Sequence, residues 1–153
     1  MTPFEKVYQR FEMKIEDLSA EELGSENWAE MEKEYLLSAL GLIELDDLYF
    51  YDMSGDLKID LSDRDEDANT FNRKLTNREI EVLSLYMMIA WYEPRINSLE
   101  HTLMYYGSKD EKWTNQKDHL KMLEDRQKKY RMQARGYYSH NAGRNNSYLR
   151  GEI

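Results

Sequence analysis

Residues 76–91 read TNREIEVLSLYMMIAW, and the fold turns on this stretch. Thr76 and Glu79 stand at the two ends of a capping box. A Thr hydroxyl at that place accepts the N–H three residues on, and the Glu reaches back to the start of the helix. Behind the cap come Ile80, Val82, Leu83, Leu85, Tyr86, Met87, Met88, Ile89, Ala90 and Trp91. Together they surround a helix with apolar surface, and a helix apolar on all sides is buried. Pro94 removes one backbone hydrogen bond and crowds the turn before it. A kink or restart is expected there before Ile96, Leu99, Leu103 and Met104 resume the period up to a cap at Gly107.

Toward the N-terminus the helical period disappears between Leu45 and Leu75. LYFYDMSGDLKIDL (48–61) predicts two short strands, Leu48–Tyr51 and Leu57–Leu61, around a turn at Ser54, Gly55 and Asp56. An acidic loop, DLSDRDEDANTFN (60–72), joins them to the central helix. Two helices precede this region. Thr2 is placed to cap the first and Pro3 to occupy its first turn, with Phe4, Val7, Tyr8, Phe11, Ile15 and Leu18 on one stripe. Ser25 is placed to cap the second, whose apolar side holds Trp28, Met31, Tyr35, Ala39 and Leu42, widened by Leu36, Leu40 and Ile43.

Toward the C-terminus a last helix is expected from Thr114 or Asn115 to about Gly136. Its apolar stripe is thin (Leu120, Leu123, Tyr130, Ala134, with Met122 and Met132 beside it), and Lys and Arg cover most of the remainder. Such a helix lies on the surface of its own body or against a neighbour. The end, GYYSHNAGRNNSYLRGEI (136–153), carries isolated apolar anchors in a polar, Asn- and Gly-rich sequence. It reads as an arm that orders on binding, because its anchors offer too little apolar surface to offset the cost of fixing the backbone.

The 153 residues suit one domain with its own core. The net charge of −9 conceals a division: residues 1–111 carry 11 Lys/Arg against 26 Asp/Glu, and residues 112–153 carry 10 against 4. An acidic body with a basic tail can pair head to tail with a copy of itself. No apolar stretch approaches the roughly 20 residues that cross a bilayer, and the N-terminus does not read as a signal peptide, so no membrane association is expected and the chain is expected to be made in the cytoplasm.

Chemical motifs are sparse. Without cysteine there are no disulfides and no thiolate metal sites, and the three His lie 18 and 21 residues apart, away from the spacing that pairs imidazoles on a helix. Setting Asp63, Asp65 and Asp67 at the first positions of a calcium loop puts Ala68 where the turn needs Gly and Lys74 where a bidentate Glu is required. No nucleophile elbow, zincin pair or phosphate-binding Gly loop occurs. Neither a catalytic role, a metal nor a cofactor is expected. A nucleic-acid-binding or regulatory module using Lys117–Arg135 is the main alternative, set back by the acidic body. A small enzyme ranks third.

Three stretches in order resemble a family of tailed-bacteriophage neck proteins, the head-to-tail connectors. They are TPFEKVYQRFEMKIED followed by YLLSAL, then IDLSDRDEDANTFNRKLTNREIEVLSLYMMIAWYEPRIN, then YYGSKDEKWTNQKDHLKMLEDRQKKYRMQ, and they cover most of residues 1–136. The resemblance implies a virion protein of the neck: a helical-bundle adaptor that forms a homo-oligomeric ring, binds the portal protein, and carries head-closure or tail proteins while DNA passes through the channel without sequence-specific binding. The expected fold is mainly α, a helical bundle of four to five helices with a short β-hairpin or extended acidic loop and a protruding C-terminal helix and arm. Its parts would be an adaptor domain over 1–136 and an arm over 137–153. Subunits would meet through Lys117, Lys121, Lys128, Lys129, Arg131 and Arg135 on one side and Asp63, Asp65, Glu66 and Asp67 on the other. The portal or another partner would take Tyr137, Tyr138, Arg144, Tyr148, Leu149, Arg150 and Ile153.

Overall fold

The central stretch forms a single long helix, and the rest of the chain packs around it. The computed structural model describes residues 1–15, 27–45, 50–51, 58–59, 61–104 and 111–144. In chain order the elements are β1 (Thr2–Pro3), α1 (Phe4–Glu12), α2 (Trp28–Leu45), β2 (Phe50–Tyr51), β3 (Lys58–Ile59), β4 (Arg64–Asp65), β5 (Thr70–Phe71), α3 (Asn77–Leu103) and α4 (Glu111–Arg144). The fold is mainly α, with four helices among the described residues. None of these helices is long and apolar enough to cross a membrane.

α3 is capped as its sequence predicts. The Thr76 hydroxyl accepts from the Glu79 N–H at 3.2 Å, but the same hydroxyl also donates to Glu79 Oε1 at 2.9 Å, so the Glu side chain closes on the cap's oxygen. Val82 to Ile89 are all buried, as are Trp91, Tyr92 and Ile96. Of the kink or restart expected at Pro94, the restart does not occur: one helix runs through it. Proline deprives the Ala90 carbonyl of its usual donor. The carbonyls on either side have side-chain donors: Gln127 Nε2 reaches Ile89 O at 3.2 Å, and Arg95 Nη1 reaches Trp91 O at 2.9 Å.

α1 and α2 bury one face each against α3. Phe4, Val7 and Phe11 of α1 are fully enclosed, with the Phe11 ring stacked on Trp28 at 6.4 Å and tilted against Tyr35 at 5.9 Å. On α2 the buried apolar residues are Trp28 and Ala39 from the expected side and Leu36, Leu40 and Ile43, expected to widen it, whereas Met31 is exposed. Arg10 of α1 and Lys14, just past its end, both pair with Glu81 of α3, at 3.0 and 2.7 Å, and tie the two helices together.

Thr2 does not cap α1, because Pro3 holds the N-cap position and supplies no side-chain acceptor. Thr2 instead belongs to a three-stranded antiparallel sheet in the order β1-β5-β4, which the sequence reading did not anticipate. Thr2 pairs with Phe71, and Phe71 with Arg64. The acidic loop is therefore a tight hairpin. Asp65 Oδ1 accepts the N–H groups of Asp67 and Ala68, both at 3.0 Å, and Asn69 takes a positive φ of 56°, which Asn tolerates better than most residues. The expected hairpin further back is present as β2 paired with β3, Phe50 opposite Ile59; its turn lies outside the described residues, as does the Ser25 cap.

α4 begins at Glu111, earlier than Thr114, and continues past Gly136 to Arg144. One glycine costs a helix about 1 kcal/mol and does not end it. Over its described side chains α4 does not protrude: it lies along α3, burying Leu123 and Ala134 and stacking Tyr130 on Tyr92 at 5.9 Å. Gln127 adds a 2.6 Å bond to Glu93 across the same seam.

Candidate functional site

The burial of Leu123 and Ala134 sets which side of α4 faces out. At 3.6 residues per turn, Lys117, Lys121, Lys128, Arg131 and Arg135 fall within one face, and Lys129 flanks it. All are exposed except Arg131, which is half-buried. The face is not purely basic, because Asp118, Glu124 and Asp125 are interleaved and exposed. Lys117, Arg131 and Arg135 also take part in interactions within the chain. The outcome is a mixed-charge stripe with a basic excess, exposed along the outside of the bundle.

The four acidic residues expected to face a neighbour's basic helix sit on the β4–β5 hairpin, where three already shape their own fold. Asp63 accepts from Asn72 at 2.9 Å and Arg73 at 3.3 Å. Asp65 closes the turn. Glu66 holds Arg64 through bonds of 2.9 and 3.1 Å, while its backbone oxygen accepts from Lys33 of α2. Asp67 is exposed, and the turn uses its N–H.

Of the residues expected to dock on a partner, Tyr137 lies on α4 with 42% of its surface exposed. Tyr138 and Arg144 belong to the last turns of the same helix. Tyr148, Leu149, Arg150 and Ile153 lie outside the described residues. A groove of about 530 Å³ opens where α2, α3 and α4 meet, lined mainly by Met31, Tyr35, Trp91, Arg95, Leu99 and His119. Arg95 stacks over the Trp91 ring at 3.6 Å, within cation–π range. The indole N–H of Trp91 is buried without an acceptor among the described residues. Among the described residues that line the groove, no carboxylate stands beside His119. Among the described residues, no group of three His, Asp or Glu is gathered as a metal site.

A cluster that sequence reasoning missed lies at the α1–α2 junction. Glu32 is only 3% exposed and hydrogen-bonds Glu12 of α1, whose Oε1 also accepts from Trp28 Nε1 at 3.2 Å. Burial, then the bond to Glu12, then the charges of Glu12 and Glu5, push the Glu32 carboxyl up to about 8. Tyr8 is pushed up to about 12 by burial and by the charge of Glu32. Burial also raises Glu79, against the lowering effect of its bonds to Thr76. Glu79 Oε2 has no hydrogen-bond partner among the described residues. An acidic residue at every few positions of an amphipathic helix reads as a solvated face, and no local signal separates Glu32 from Glu30 or Glu34.

No protein-family model, curated protein or solved structure matches the chain.

Proposed function

We propose that this chain is a structural protein of the phage neck, forming a homo-oligomeric ring that joins the portal of the head to the tail, with no catalytic role. The observation that carries this reading is the placement of charge: an exposed stripe of α4 with a basic excess, and a β4–β5 hairpin whose Asp65, Glu66 and Asp67 are exposed, on the same subunit. Exposed surfaces of opposite sign on one copy can meet between copies. Each exposed pair contributes only about 0–1 kcal/mol, enough to set the register of a ring that apolar contacts hold together. The three sequence stretches that resemble neck proteins, in their order, support the same reading.

The decisive measurement is the structure of purified particles by cryo-electron microscopy. A ring of this chain between head and tail, with residues 117–135 of one copy against acidic surface of the next, is the expected result. Absence of the chain from purified particles overturns the proposal. Reversing charge at two exposed positions, Lys121→Glu with Lys128→Glu, should reduce incorporation while leaving the helical circular dichroism intact. The nucleic-acid alternative makes a different demand: tight binding of duplex DNA by the isolated protein, weakening steeply with salt.

A further inference from the structure

We propose that α4 pairs antiparallel with the α4 of a second copy of this chain, across a two-fold axis level with Leu123. Leu123 and Ala134 are buried and mark the inward side of the helix. At 3.6 residues per turn, the positions farthest round from them are Thr114, Asp118, Lys121, Asp125, Lys128 and Met132. Each of these is exposed. They follow one another in steps of four and three, the spacing that keeps a stripe facing a partner helix over several turns. Within the stripe the charges run acid, base, acid, base. An open trough of about 360 Å³ borders it, lined by Asp118, Lys121, Met122, Asp125, Arg126 and Lys129.

The signs fix the register. Turned antiparallel about Leu123, the stripe sets Asp118 opposite Lys128, Lys121 opposite Asp125 and Thr114 opposite Met132, so every charge on it meets its opposite. A parallel pair in register sets acid on acid and base on base, and facing like charges repel. A parallel pair displaced by one step matches signs, but it leaves each end open to a further copy and does not close. The antiparallel pair closes at two copies. Exposed ion pairs of this kind govern orientation more than strength and weaken with salt, while Met132 and the flanking Met122, both exposed, supply apolar contact. The pairing goes beyond the ring reading and does not depend on it: a ring needs a heterologous contact, and one copy cannot offer the same stripe to both at once.

Sedimentation equilibrium of the full-length chain tests the pairing. The expected result is a monomer–dimer equilibrium whose dissociation constant rises about tenfold between about 0.05 M and about 0.5 M sodium chloride. Lys121→Glu with Lys128→Glu leaves an acidic stripe, and Asp118→Lys with Asp125→Lys leaves a basic one. Each variant should keep its helical circular dichroism and sediment as a monomer, and an equimolar mixture of the two should form a mixed dimer. Lys121→Asp with Asp125→Lys reorders the stripe to acid, acid, base, base. That order still matches itself antiparallel but no longer matches in a displaced parallel pair, so this variant should dimerise as the parent does. A parent chain that stays monomeric at low salt overturns the pairing, as does one that forms a species larger than a dimer. A mixture that stays monomeric, or loss of the dimer in the reordered variant, also overturns it. Incorporation into particles is read separately, so none of these outcomes bears on the ring.

Discussion

At Thr2 one hydroxyl serves two backbone groups: it accepts the Leu75 N–H at 2.9 Å and donates to the Arg73 carbonyl at 3.0 Å, with 3% of the residue exposed. Thr2→Val keeps the shape and removes both bonds, leaving a buried N–H and carbonyl unpaired. The expected loss is about 1–3 kcal/mol in urea unfolding, whereas Thr2→Ser should stay within about 0.5 kcal/mol of the parent. The sequence misleads at this position because Thr before Pro suits a helix cap and a strand end equally well. Only the distant partner, 73 residues on, decides between them. Glu32 is illegible for the same reason: its burial depends on Glu12 and Trp28 meeting across two helices.

Among the elements, the first half of α3 was the most legible, because its cap is local and its apolar composition leaves burial as the one outcome, while its continuation through Pro94 to Leu103 was not. Leu83→Ala should cost about 2–5 kcal/mol, read as a lowered urea midpoint, while Met132→Ala on the exposed side of α4 should change little. The basic face of α4 was legible too, since spacing alone groups its cations. The end of α4 was not: Gly136 reads as a stop, yet the helix runs eight residues beyond it, to Arg144. A Cβ added at Gly136 meets nothing within 4 Å. Gly136→Ala should therefore stabilise the protein by about 0.5–1 kcal/mol and raise its helical signal; a loss of stability would show a backbone role for this glycine. The β1-β5-β4 sheet escaped notice because strands of two residues carry no period, and its register depends on an Asx turn that composition presents as a solvated acidic loop.

For the molecule as a whole, two buried carboxyls with raised pKa act in one direction. Glu32 keeps its proton in the folded chain up to about 8 but loses it near 4.5 when unfolded. Its contribution is fully present below that lower value and declines as pH rises through the interval, by about 1.4 kcal/mol per pH unit for a group that stays buried. Glu79 acts in the same sense. Thermal unfolding should accordingly show a higher midpoint at about pH 5 than at pH 8, and Glu32→Gln should flatten that difference by raising the value at pH 8. A profile that rises steadily from acid to alkaline would contradict this assignment. The pairing of Thr2 with Phe71 and Leu75 also bears on how the protein is made. Ribosomes deliver the N-terminus first, but its strand has nothing to pair with until Thr70 and Phe71 have emerged. During that interval Phe4, Val7 and Phe11 have no complete core to enter, so a nascent chain released before Leu75 should be held by chaperones or aggregate, whereas one released just beyond α3 already contains every partner of its first strand.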